Sequence, residues 1–207
     1  MKKLKRIIVG IDIFVKSNNI LKRALMVAKQ NKAELFIVHA IQTPWLSIPS
    51  YFGGKEIAID TKGIKKKINK KIKKLNLDDK VPYSILVKEG NPDDIILYES
   101  KLLKADMIVI GASTKSKKNF LGTTAEKVAH QSHLPILVVK NRVKNPYKNI
   151  LAPTDFGIQS KQSVLFVKSI YPSAKIKAVH SSETIYITGP YTVAGGDFVQ
   201  YNEVAKV

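Results

Sequence analysis

The 207-residue chain has no cysteine. That excludes a disulfide scaffold, a cysteine-held iron–sulfur cluster, a thiolate zinc site and a cysteine nucleophile, and it fits a reducing compartment such as the cytoplasm. No apolar run approaches the roughly 18 residues a membrane-spanning helix needs. The start, MKKLKRIIVG, has a basic flank, but the apolar run after it breaks at Asp12, too soon for a signal peptide. Acidic residues are few: 16 Asp and Glu stand against 35 Lys and Arg, for a formal charge of +19. Arginine is scarcer still, at positions 6, 23 and 142 only. So basic a chain favours anionic partners. The lack of arginine forks argues against base-specific reading of nucleic acid. The remainder, 44% hydrophobic and 25% charged, has the composition of a globular protein and not of a disordered one.

Short aliphatic runs alternate with amphipathic stretches along residues 5–140. Residues 5–11, 33–40, 83–87, 107–110 and 134–139 are rich in Ile, Val and Leu and read as buried parallel strands. Between the first two, Ile20, Leu21, Ala24, Leu25, Val27 and Ala28 fall at helical spacing, with Ser17 as the expected N-cap. Ile64, Ile68, Ile72 and Leu75 form a second helical stripe, surrounded by lysines. Asn91 and Pro92 mark the start of a third helix, with Asp93 and Asp94 as capping acids in its first turn. A fourth follows Gly122. Residues 42–62 read as a long loop. The alternation predicts an α/β fold, a doubly wound five-stranded parallel sheet covered by helices on both faces.

The pattern then restarts. Residues 150–155 parallel 7–12, Ser160 parallels Ser17, and residues 174–180 parallel 33–39. Asp12 and Asp155 are offset by 143 positions, His39 and His180 by 141, so a two-residue deletion separates them. This is an internal repeat. The expected organisation is one α/β domain over residues 1–141, a linker at 142–149 and a partial second repeat at 150–207. Two strands and one helix bury too little to stand alone, so this second copy is expected either to be cut short or to pack on the first domain.

Open parallel sheets bind ligands beyond the C-terminal ends of their strands, at the switch in strand order. Asp12 ends the first strand and Gly111 the fourth. Gly122, Thr123 and Thr124 open the next helix, where free backbone N–H groups and two hydroxyls suit a phosphate. Asp12 can accept from a ribose or a base amine. This is a nucleotide-site constellation without a P-loop or a GxGxxG fingerprint. The alternative reading is structural: Gly111 turns a strand and Gly122 opens a helix. His39 and His180, at matching strand positions, are read as structural. His130 and His133 have no third ligand nearby, so no metal is expected. No Ser-His-Asp or Glu-x-x-His arrangement appears, so no catalytic residue is assigned.

Taken together, residues 7–12, 33–39, Gly90-Asn91-Pro92, 105–111, 120–128 and 134–139, in this order and spacing, resemble the universal stress protein family, related to the UspA superfamily, in its tandem-repeat form. The resemblance resumes at residues 151–156. It implies a sheet of order 3-2-1-4-5 and pairing of two such domains, as a homodimer or as two repeats in one chain. In the nucleotide-binding branch the phosphate loop reads Gly-x2-Gly-x9-Gly-Ser/Thr. Gly111 matches its first glycine and Gly122-Thr123 its end. Thr114 stands where the second glycine belongs, and the loop is two residues short. A β-branched threonine does not readily take the positive φ open to glycine. By this analogy Asp12 meets adenine, Ala40 lines the base, and Gly111, Gly122, Thr123 and Thr124 hold ribose and phosphates.

The resemblance therefore implies a cytoplasmic, non-enzymatic stress-response protein that binds an adenine nucleotide weakly or in a modified mode. Adenosine or AMP fits the shortened loop better than ATP, and Mg2+ enters only with a triphosphate. Slow hydrolysis of a bound nucleotide stays open. Two alternatives stand beside it: a nucleotide-free interaction or assembly protein, and a non-specific binder of nucleic acid or anionic membrane through the lysine-rich helix.

Overall fold

The structure is a computed structural model that describes residues 3–14, 17–42, 60–76, 81–112 and 121–181. Five strands form one parallel sheet: β1 (Arg6–Gly10), β2 (Glu34–Ile41), β3 (Tyr83–Glu89), β4 (Met107–Gly111) and β5 (Ile136–Val139), in the order β3-β2-β1-β4-β5. Both faces are apolar because alternate residues of each strand point to opposite sides. Ile7, Val9, Leu35, Ile37, Met107 and Val109 join one core with α1 (Asn18–Asn31) and α2 (Thr61–Leu75). Ile8, Val38, Ile108 and Ile110 join the other with α3 (Pro92–Leu102) and α4 (Thr123–Gln131). That is why the strands read as unbroken hydrophobic runs.

The helices follow their stripes. Ile68 and Ile72 of α2 are fully buried, with Ile64 and Leu75 packed beside them. The α2 helix starts earlier than its apolar stripe because the Asp60 carboxylate accepts from the Gly63 N–H at 2.7 Å and caps it. Ser17 corrects an expectation. It stands at the N-cap position of α1, but its backbone is already helical and its side chain makes no capping bond. Its hydroxyl instead accepts from the Lys71 ammonium at 3.1 Å. Asp93, in the first turn of α3, is buried, and its carboxylate lies 3.3 Å from the Lys127 ammonium, tying α3 to α4.

The remaining described residues form β6 (Asn149–Pro153), α5 (Ile158–Ile170) and β7 (Lys175–Val179), with β6 and β7 paired in parallel. Their register copies that of β1 and β2. Arg6 pairs with Glu34 and Asn149 with Lys175; Gly10 pairs with Val38 and Pro153 with Val179. The supporting bonds recur as well: Ile11 N–H to Val38 O at 3.0 Å, and Thr154 N–H to Val179 O at 2.9 Å. The offsets of 143 and 141 seen in the sequence are thus the offsets of the two strand pairs. What differs is cover. Ile8 is completely buried, whereas its counterpart Leu151 is 66% exposed, and no described helix lies over that face of β6 and β7.

The segment expected as a linker is fixed to the first domain. Val143 is buried and its N–H donates to Asn19 Oδ1 at 3.3 Å. The Arg23 guanidinium donates to Asn145 O at 3.2 Å and stacks 3.7 Å from the centre of the Tyr147 ring. Tyr147 meets the Tyr171 ring edge-on at 5.4 Å, and Asn31 donates to Ile170 O at the end of α5.

Candidate functional site

The sheet order puts β1 beside β4, and the chain leaves them in opposite directions: β1 to β2, β4 to β5. A crevice opens where neighbouring connections diverge in this way. Here it is a cavity of about 600 Å3 above the C-terminal ends of β1, β2 and β4. Asp12, Ala40, Gly111, Gly122, Thr123 and Thr124 all line it, brought together from three strand ends and one helix start. Thr114 lies outside the described residues, as do most of the predicted phosphate loop and of the loop at 42–62.

Each wall has a local cause. Asp12 is exposed, and its Oδ1 accepts from the Phe14 N–H at 2.9 Å, a turn that leaves Oδ2 for another donor. Gly122 precedes α4 with φ +89°, a conformation L side chains avoid. No side chain caps α4, so the first N–H groups of α4, at Thr123, Thr124 and Ala125, have no acceptor within the helix. They carry the positive end of its dipole toward the cavity. Gly111 leaves no room above the strand: a Cβ there would stand 2.5 Å from Ile20 Cδ1.

Sequence reasoning missed the apolar part of the wall. Phe14, Ile20, Ile96 and Leu121 face the cavity, with Pro92 at the start of α3. Phe14 is 81% exposed and meets the His39 ring edge-on at 5.9 Å. Its only sequence signal was an aromatic two places after Asp12. Apolar walls with one carboxylate and one helix start suit a flat heterocycle that carries donors at one end and an anionic group at the other.

Two polar side chains on the wall are already engaged within the protein. Buried His39 turns Nδ1 to the Ile11 carbonyl oxygen at 3.1 Å, so Nδ1 carries the proton. Its Nε2 is buried without a partner. Ser17, on the same wall, is engaged by Lys71 and not by His39. Among the described residues no group of three or more metal-ligating side chains occurs, and no helix is long and apolar enough to cross a membrane.

A model of the universal stress protein family matches residues 3–140. Universal stress protein MJ0531 of Methanocaldococcus jannaschii is 29% identical over 143 residues, which are 68% of this chain and 84% of that protein. Among solved structures, hypothetical protein MJ0577 aligns with a TM-score of 0.53 and 25% identity, over 69% of this chain and 100% of its own. The universal stress protein from Archaeoglobus fulgidus in complex with dAMP aligns with a TM-score of 0.50 and 17% identity, over 67% of this chain and 100% of its own.

Proposed function

The chain belongs to the universal stress protein family, and from that premise we propose that it binds an adenine nucleoside or nucleoside monophosphate in the cavity above β1 and β4. One observation carries the reading: Asp12, Ala40, Gly111, Gly122, Thr123 and Thr124, far apart in sequence, surround one space of about 600 Å3. Asp12 accepts from the base amine, Ala40 and the apolar wall hold the ring, and the start of α4 with its two threonine hydroxyls takes ribose and phosphate. The same fold holds dAMP in the Archaeoglobus fulgidus protein. Between Gly111 and Gly122 the chain is two residues shorter than the family's triphosphate-binding pattern, with Thr114 in place of a glycine. The smaller phosphate group follows from that, with no call for Mg2+.

Residues 150–207 are read as the start of a second copy of the same unit, joined through 142–149. The equal register of β1–β2 and β6–β7 supports this. The role is that of a binding protein of the cytoplasmic stress response and not of an enzyme.

Calorimetric titration of the full chain with adenosine, AMP and ATP tests the reading. AMP should bind at least as tightly as ATP, and Ala40→Trp, which fills the base position, should abolish the heat. No heat from any of the three, with the fold intact by circular dichroism, would overturn it.

A further inference from the structure

Among the described residues a strongly basic surface lies on α2, none of whose residues line the cavity. Eight of the fifteen residues of α2 are lysine and none is acidic. Seven of these lysines are exposed; the eighth, Lys71, turns inward to Ser17. Among the described residues no carboxylate pairs with any of them. Lys66, Lys70 and Lys74 follow one another at i,i+4, where like charges oppose the helix. A shallow concavity of about 500 Å3 is lined by Lys66, Asn69, Lys70, Lys73 and Lys74.

The charge is not spread evenly along the chain. Residues 1–75 hold sixteen Lys and two Arg against four acids; residues 76–207 hold the same number of Lys against twelve acids. The second stretch is much the longer, so the basic field comes both from crowding lysines into one region and from keeping acids out of it. The apolar side of α2 is anchored, since Ile68 and Ile72 are fully buried in the core.

We propose that the exposed face of α2 is a docking surface for the phosphate backbone of nucleic acid, bound without regard to base sequence. Three features select this partner. Fifteen helical residues extend about 22 Å, enough to meet several successive phosphates. The face has no arginine and no aromatic residue, so it holds neither the bidentate fork that reads bases nor a platform on which they stack. An anionic membrane is the poorer partner. Helices that lie in a membrane interface insert an apolar face, and the apolar face of α2 is buried in the core.

Fluorescence anisotropy on the full chain with a labelled 20-base-pair duplex of mixed sequence tests the proposal. Binding should be present at 50 mM salt and fall about a hundredfold by 200 mM, as expected when roughly four phosphates are neutralised. Lys66→Glu with Lys70→Glu and Lys73→Glu should weaken binding at least tenfold, and the three Gln replacements should weaken it less. The same charge change on the second unit, at Lys161, Lys168 and Lys175, should have little effect. Circular dichroism melts verify that each variant is folded. Equal losses from the two Glu triples would assign binding to net charge and overturn the proposal. So would undiminished binding by the α2 triple, absence of binding at 50 mM salt, or binding to phosphatidylserine vesicles with none to the duplex.

Discussion

His39 Nδ1 lies 3.1 Å from the Ile11 carbonyl oxygen, and His180 repeats the contact with Thr154 at 2.8 Å. Each imidazole ties the end of the second strand of its unit to the residue just past the first strand. In the first unit that residue precedes Asp12, so the histidine steadies the cavity wall. The two contacts differ in burial: His39 is 2% exposed, and His180 lies in the open.

That difference makes a matched pair of variants informative. His39→Ala strands a buried carbonyl and leaves a void, and should cost about 1–3 kcal/mol. His180→Ala removes a solvent-accessible bond and should cost under about 0.5 kcal/mol. Urea unfolding of both variants measures the gap. Equal losses would mean that burial does not set the worth of this contact.

Gly122 holds φ +89° where the chain enters α4. Gly122→Ala forces either strain of about 1–3 kcal/mol or a shift of the first turn. Nucleotide affinity, measured by calorimetry, should fall by more than thermal stability alone explains, because the shift re-aims the N–H groups of Thr123 and Thr124. Unchanged affinity in the folded variant would separate α4 from the ligand.

Arg23 is a buried cation that holds the 142–149 segment on α1, through Asn145 O and the Tyr147 ring, and Tyr147 in turn meets Tyr171. Arg23→Ala should cost roughly 1–3 kcal/mol. Hydrogen exchange should rise at residues 143–147 and at the end of α5, leaving β1 and β4 protected. A uniform rise across the sheet would show instead that the second unit is integral to the first.

Tyr171 carries a buried hydroxyl without a partner. Burial first, then the neighbouring Tyr147, pushes its phenol well above the usual range, against a smaller pull from Arg23. A group that holds its proton more tightly when folded contributes stability below its unfolded pKa of about 10 and loses it as pH rises through the folded value. Unfolding free energy should therefore decline above about pH 10. Tyr171→Phe, which removes an unsatisfied polar atom, should keep the neutral-pH stability and flatten that decline. A variant with the same alkaline slope as the parent would place the cause elsewhere.

Much of the fold was legible because its signals are local. The β-branched runs of β1 and β4, the Ile68–Ile72 stripe and the offset of Asp155 from Asp12 all follow from side-chain periodicity over a few residues, which burial on one or both faces imposes wherever the element packs. Six residues that line the cavity carried a sequence signal, while its apolar wall carried none that spacing could reveal.

The sequence by itself determined which of the described segments become strands and helices, that the β1–β2 pattern recurs at β6–β7, and where positive charge gathers. Tertiary structure decided who meets whom. Ser17 lost its capping role to Lys71, fifty-four positions away, because packing α1 beside α2 brought an ammonium within reach of the hydroxyl. The expected linker lies against the first domain, where the buried Arg23 meets Asn145 O and the Tyr147 ring. Phe14 and Leu121 became cavity walls because β1 and β4 are neighbours in the sheet. Periodicity states that a side chain needs a partner; only the crossing of the chain over the sheet supplies one.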